Sequence, residues 1–269
     1  SGETNIARLE QDVLISGAHA SGEFGGSLAV ADINGDGRDD IIAGAHRSNL
    51  GDESRGATGA AYVFLGREEF PERLTVQGGD EDMRLLGRTP SAFGYPLAGG
   101  DFNGDDIDDV AIGAKLESTG EGQGQGTVRV FFGRSELPGE VDLSTDDADV
   151  TLAGLMTSEF LPTALGSVDL DGDGADELLA GSILVSADDE RFGSGAVYIV
   201  KVPSAAPGVV RLPASATLVF PGAGGERLGN ALFGGETVAG TQGIAIAAPG
   251  ASPPDRPGAG IVYLTRVRQ

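Results

Sequence analysis

Nine consecutive residues, Asp32-Ile33-Asn34-Gly35-Asp36-Gly37-Arg38-Asp39-Asp40, put oxygen-bearing side chains at the first, third, fifth and ninth positions and a glycine at the sixth. Oxygen donors on alternate residues, with one main-chain carbonyl between them, can surround a hard divalent cation, which takes about six to eight oxygens at roughly 2.3–2.6 Å. Glycine lets the backbone turn tightly enough for the donors to converge. The pattern predicts a calcium loop in which Asp32, Asn34 and Asp36 bind through side chains, Arg38 through its carbonyl, and Asp40 closes the shell. It returns at 101–109, with Asp101, Asn103, Asp105 and Asp109 as side-chain ligands and Ile107 as the carbonyl. It returns again at 169–177, with Asp169, Asp171, Asp173 and Glu177 and the carbonyl of Ala175. One such stretch is also an ordinary acidic turn. Three of them, 69 and 68 residues apart, occupy one position of a repeating unit and predict three Ca2+ per chain. In the second loop Asp106 stands where the other two have glycine.

The elements around the loops repeat with them. The first unit runs Val13-Leu14-Ile15-Ser16-Gly17, Phe24-Gly25, Ser27-Leu28-Ala29-Val30-Ala31, the acidic loop, Ile41-Ile42-Ala43-Gly44-Ala45 and Ala61-Tyr62-Val63-Phe64. Short β-branched or aromatic runs bounded by glycine are strand and hairpin signals. The second unit follows with Leu85-Leu86-Gly87, Phe93-Gly94, Val110-Ala111-Ile112-Gly113-Ala114 and Val128-Arg129-Val130-Phe131-Phe132. The third has Phe160 at the aromatic corner, followed by Leu161-Pro162 in place of glycine. A fourth keeps its strands, but Gly235 to Gly243 replaces the acidic loop and carries one carboxylate, Glu236, too few for calcium. The expected fold is all-β, a propeller of four blades, each of four antiparallel strands, forming a single domain. The repeats span 13–82, 83–149, 150–216 and 217–269, with 1–17 completing the last blade. The N-terminal segment, Asn5 to Leu9 through Val13 to Ile15, is expected to pair with Ile261 to Leu264 and close the ring of a monomer. The rival is an open half-ring that needs a second chain.

Composition narrows the partners. Forty-five glycines in 269 residues, more than twice the average usage of about 7 per cent, and the lack of any sustained helical period leave almost no helix. A formal charge of −23 repels nucleic acid and anionic membrane surfaces. Ten of the 41 acidic residues are proposed ligands, and the remainder suits a salty or calcium-rich medium. Without cysteine there is no disulfide framework or thiolate chemistry, and no apolar run reaches the ~18 residues of a membrane span.

Phenylalanine-glycine, a calcium hairpin, then glycine-alanine ahead of an aromatic strand is the FG-GAP pattern. Over nearly its whole length the chain resembles the β-propeller of integrin α subunits and their bacterial relatives. Tyr62-Val63-Phe64-Leu65-Gly66 and Val130-Phe131-Phe132-Gly133 are especially similar to the bacterial versions. The resemblance implies an extracellular or cell-surface location, calcium in hairpins between first and second strands, and a role in adhesion or recognition. The chain departs in having four units where seven blades are usual. The proline expected after glycine-alanine is His46 and Lys115 in the first two units and appears only as Pro249.

No catalytic constellation is evident. His19 and His46 are the only histidines, cysteine is absent, and no phosphate-binding or nucleophile-elbow motif occurs. Acids outside the hairpins that an enzyme would have to bring together are Glu53, Glu121, Asp189 and Glu190. The long loops opposite the calcium hairpins, carrying His46, Arg47, Arg55, Lys115, Arg191 and Arg256, form the expected recognition face. These readings lead to a calcium-binding interaction module for protein or carbohydrate. A polysaccharide hydrolase or lyase, or a structural spacer of a larger surface protein, are the alternatives.

Overall fold

A computed structural model describes residues 13–52, 54, 56–119, 124–154, 160–185, 193–204, 208–212, 216, 218–238 and 241–266. Among these, helix is confined to short 3-10 turns such as Val76–Gly78, and no helix is long and apolar enough to cross a membrane. Residues 1–12, Glu53, Arg55, Glu121 and 186–192 lie outside the described residues. The expectations for Asn5 to Leu9, for Arg55 and Arg191, and for the acids Glu53, Glu121, Asp189 and Glu190 fall there.

After β1 (Leu14–Ser16), the first sheet takes β2 (Ser27–Ala31), β3 (Asp40–Ala45) and β4 (Ala60–Phe64). The chain then passes through β5 (Arg73–Thr75) and returns as the outer strand β6 (Met83–Leu86). The second sheet repeats this with β7 (Phe93–Gly100), β8 (Asp109–Ala114), β9 (Thr127–Phe131), then β10 (Glu140–Asp142) and outer strand β11 (Val150–Ala153). The third has β12 (Ala164–Val168), β13 (Glu177–Ser182), β14 (Ala196–Val200), then β15 (Val209–Arg211) and β16 (Leu218–Pro221). The fourth holds β17 (Leu232–Val238), β18 (Thr241–Ala248) and β19 (Ile261–Thr265). Within each sheet the main strands are antiparallel and consecutive, so local hairpins make the blade.

A short strand adds to this plan between the third and outer strands of each of the first three units. It crosses to the previous blade and pairs parallel with that blade's outer strand: β10 with β6, and β15 with β11. Strand β5 does the same with β1, through Leu14↔Arg73, Ile15↔Leu74 and Ser16↔Thr75.

The blades stack face to face. One apolar cluster joins Ala61, Val63, Met83 and Leu85 of the first sheet to Phe93, Leu97, Val110 and Ile112 of the second. Equivalent clusters join the second to the third and the third to the fourth. Strands β4, β9 and β14 are covered on both faces and therefore read as unbroken buried runs rather than alternating ones. Close stacking needs small residues: a Cβ on Gly44 would come within 1.9 Å of the Gly94 carbonyl oxygen.

Two expectations are corrected. The corner of the third unit belongs to Leu161, not Phe160. The residue ahead of each corner side chain has positive φ, as at Glu23, Ala92, Phe160 and Arg227 (φ 52 to 54°). That turn places Phe24, Phe93, Leu161 and Leu228 next in line, with Phe93 and Leu161 fully buried. Among the described residues the ring is also not closed by the N-terminal strand. Strand β1 pairs with β5 rather than β19, and among the described residues β19 has β18 as its one strand neighbour. The all-β architecture fits a β-propeller whose sheets form an open series.

Candidate metal centre

All three acidic loops span the first and second strands of a blade: β2 to β3, β7 to β8, and β12 to β13. The antiparallel registers set the loop ends opposite one another, Ala31↔Asp40, Gly100↔Asp109 and Val168↔Glu177. The first acid of each loop organises the turn. Asp32 carboxylate oxygens accept the N–H groups of Asp36 (3.1 Å) and Gly37 (2.8 Å). Asp101 accepts those of Gly104 (2.7 Å) and Asp106 (2.9 Å), and Asp169 those of Gly172 (2.7 Å) and Gly174 (3.1 Å). The fifth position turns inward similarly, with Asp36, Asp105 and Asp173 accepting the N–H of Arg38, Ile107 and Ala175. That leaves the carbonyls of Arg38, Ile107 and Ala175 at the seventh position, where the calcium pattern places them.

The closing acids are buried. Asp40 accepts the N–H of Ile33 (3.1 Å) and Gly66 (2.7 Å), and Asp109 those of Phe102 and Gly133 (2.9 Å each). Asn103 donates to Asp109 at 3.3 Å, whereas Asn34 donates to Asp36. Burial raises the Asp109 carboxyl from its ordinary value to about 7, backbone N–H groups pull it down, and the charges of Asp105 and Asp101 push it further up. Burial likewise raises Asp40 and Glu177. A desolvated carboxylate ringed by other acids is stabilised by a bound cation, so the donor set fits an oxygen-liganded divalent metal.

Convergence differs among the loops. Among the described residues, the acidic group whose ligand atoms all lie within 4.8 Å of one another is Asp169, Asp171 and Glu177. Asp173 stands outside that trio. Its carboxylate contacts Lys201 Nζ, which also lies 2.6 Å from Asp171 and 3.5 Å from Glu177. Lys201 follows β14 where Leu65 follows β4 and Phe132 follows β9, so the first two loops lack this ammonium. The fourth unit makes a plain hairpin between β17 and β18 with a bulge at Glu236 to Val238.

Neighbouring loops are tied together through residues that the sequence reading did not assign. The Asp32 N–H donates to Asp108 Oδ2 at 2.9 Å, and the Asp108 N–H donates to the Asp32 carbonyl at 3.2 Å. Asp176, at the same repeat position, donates its N–H to the Asp101 carbonyl at 2.7 Å. Burial and the charges of Asp108 and Asp169 push its carboxyl up to about 6. A signal was present: an acid precedes the closing ligand in the first three loops, at Asp39, Asp108 and Asp176.

On the opposite side, His46 is an enclosed rather than a presenting residue. Its ring packs 5.2 Å from that of Tyr95, its Nε2 lies 3.3 Å from Glu23, and burial and Lys115 lower its pKa. Lys115 Nζ lies 5.9 Å from the Tyr95 ring and Arg47 pairs with Glu23, while Arg256 is exposed.

The FG-GAP repeat family matches residues 24–64 and 93–131, each running from the corner phenylalanine to the third strand of a blade. Human integrin alpha-7 is 37% identical over 132 residues, which is 49% of this chain and 10% of that protein. Mouse integrin alpha-IIb is 36% identical over 129 residues, 45% of the chain and 11% of that protein. Human phosphatidylinositol-glycan-specific phospholipase D is 30% identical over 145 residues, 52% of the chain and 16% of that protein. The chain thus spans only a tenth to a sixth of these relatives. The first two blades of this chain are FG-GAP repeats, and over just under half of its length it resembles the integrin α subunits.

Proposed function

We propose that the chain is a calcium-binding FG-GAP propeller acting as an extracellular or cell-surface interaction module, with protein or carbohydrate as its ligand. The observation that carries this reading is the recurrence of one donor set at one corner of three successive blades. Ligands are Asp32, Asn34, Asp36, Arg38 and Asp40, then Asp101, Asn103, Asp105, Ile107 and Asp109, then Asp169, Asp171, Asp173, Ala175 and Glu177. Calcium neutralises the buried closing acids and stiffens the hairpins. The likeness to integrin α subunits favours a protein ligand, and the charge of −23 favours a partner that is not anionic.

Titrating chelator-treated protein by calorimetry should give three calcium ions per chain. Each site at 100-fold saturation adds about 2.7 kcal/mol to stability if the unfolded chain does not bind, so chelation should lower the melting temperature substantially. A stoichiometry of zero, one or four refutes the donor assignment. Arrays of glycans and matrix proteins, probed with calcium and with chelator, test the interaction role. Turnover of a polysaccharide would replace it with a hydrolase or lyase.

A further inference from the structure

Two matching clefts open on the rim of the sheets. The first, of about 400 Å³, lies between outer strand β6 and the turn after β1, and Glu81, Arg84, Gln77, His19, Val76 and Leu86 are among its lining. The second lies between outer strand β11 and the turn after β6. There Arg129 stands at the position of Tyr62, Ala148 at that of Glu81 and Thr151 at that of Arg84. Strand register fixes the match, since Tyr62 faces Arg84 as Arg129 faces Thr151. Side-chain bonding agrees: the Leu65 N–H donates to Asp82 as the Phe132 N–H donates to Asp149. The second cleft draws Arg88 from the first unit and Val209 from the third, so the feature is internal to the series and owes nothing to its ends.

Charge is satisfied differently in the two. In the second, the acid is Glu117, which accepts hydrogen bonds from Arg129 and Thr127. In the first, Ser48 and Tyr62 take the places of Glu117 and Arg129, and the acid is Glu81, whose side chain is 2% exposed. Among the described residues three buried side-chain polar atoms have no hydrogen bond, and two of them are the carboxylate oxygens of Glu81. Arg84 Nη2 lies 3.0 Å from Oε1 without the alignment of a hydrogen bond. A buried acceptor without a donor is destabilising, so the first cleft lacks donors that a ligand can bring.

We infer that the first cleft binds a neutral saccharide unit. Its walls select the ligand class. Glu81 repels an anion, and Arg84, 43% exposed beside it, opposes a free cation. Neighbouring hydroxyls suit both groups, donating to the carboxylate and accepting from the guanidinium, while Gln77 and His19 can do either. Val76 and Leu86 offer apolar surface to the C–H face of a sugar ring, and the volume lies within the range of small-ligand sites. Arg84 Nε is also 3.6 Å from Glu140 of β10, so the guanidinium can turn toward that acid and let a hydroxyl reach Glu81. The inference rests on the reading of the chain as an interaction module, and its site shares no residue with the calcium hairpins.

An array of neutral oligosaccharides, read with the full chain in calcium-containing buffer, supplies the probe. The best-retained glycan is then titrated by calorimetry into the unsubstituted chain and into Glu81→Ala, a change that reproduces what the second cleft carries at that place. Affinity should fall at least about tenfold, as expected for losing hydrogen bonds to a charged group, with the calcium stoichiometry unaltered. Equal affinity in the variant overturns the cleft but leaves the interaction module standing, whereas retention of neither glycan nor matrix protein overturns the module. Retention of charged glycans alone, or of matrix protein alone, overturns the cleft as well, and water then satisfies Glu81. The unsubstituted chain decides the matter if the variant fails to fold. With two histidines in the chain, the ring C–H signal of His19 can be followed by NMR beside that of His46, and saturating glycan should shift the first and not the second. The reverse pattern, or no shift, overturns the proposal.

Discussion

Lys201 Nζ lies 2.6 Å from Asp173 Oδ2, inside the acidic loop with the most carboxylates among its proposed ligands. Asp171 and Asp173 hold the ammonium and raise its pKa, and the ammonium in turn lowers that of Asp173. The third loop thus carries its own tethered cation, which an incoming metal must displace. Counting carboxylate ligands would rank this loop strongest; Lys201 offsets that advantage.

Replacing Lys201 with methionine should tighten calcium binding at the third loop by up to about fivefold, the range that an exposed ion pair supports. Site-resolved calorimetry, with the first loop disabled by Asp32→Ala and the second by Asp101→Ala, measures it. Unchanged affinity would mean that Lys201 leaves the loop without cost when metal arrives.

Asp106 has a left-handed backbone, φ 67°, where Gly37 and Gly174 take φ 83° and 95°. A side chain there costs roughly 1–2 kcal/mol relative to glycine. Asp106→Gly should therefore raise thermal stability and tighten the second site. A variant with an unchanged melting temperature and unchanged calcium affinity would show that the strain is relieved elsewhere.

The metal-free protein should lose stability as pH rises. The Asp109 carboxyl titrates near 7 in the folded chain against an ordinary 3.8, so the native state holds a proton that the unfolded chain releases. Its contribution is fully present below about pH 4 and fades as pH climbs through about 7. Melting temperatures in chelator should fall across that window, and saturating calcium should flatten the profile. Asp109→Asn should lessen the slope too, in chelator alone, with Asp176, Asp40 and Glu177 supplying what remains.

Arg129 and Glu117 form a buried pair in the second blade. Arg129 Nε donates to Glu117 at 3.0 Å, Thr127 Oγ1 donates to the same carboxylate at 2.6 Å, and Arg129 Nη1 donates to Thr151. Arg129→Met strands the carboxylate in the core and should cost about 3–5 kcal/mol, read from urea unfolding. The double change Arg129→Met, Glu117→Gln should recover much of that loss.

What the sequence made legible follows from how local each feature is. The loops are read from nine adjacent residues, and strands such as β4 and β9 from short apolar runs, because hairpins bring together what is already close in the chain. Lys201 escaped notice because it lies far along the chain from Asp171 and enters the loop only through the pairing of β13 with β14. Leu161 is not legible as the corner because that place is set by the positive φ of the preceding residue, not by which side chain is aromatic. The parallel strands β5, β10 and β15 carry only three residues each, too few to show a period, although each places an apolar side chain at its centre. Ring closure was least legible, since any unpaired edge and any unassigned apolar strand look complementary on paper.

If the three loops take calcium as proposed, the hydrogen bonds between them couple each site to its neighbour, equally in both directions. An ion bound at 32–40 orders the backbone that Asp108 grips, and one bound at 101–109 orders the carbonyl that receives the Asp176 N–H. Each loop, once occupied, would lower the entropy that its neighbour must surrender on binding, so a first ion would make the next one tighter without any change of shape. Three such sites linked in series would respond to calcium over a narrower range of concentration than three independent ones, and a calorimetric titration that fits three independent sites would rule the coupling out.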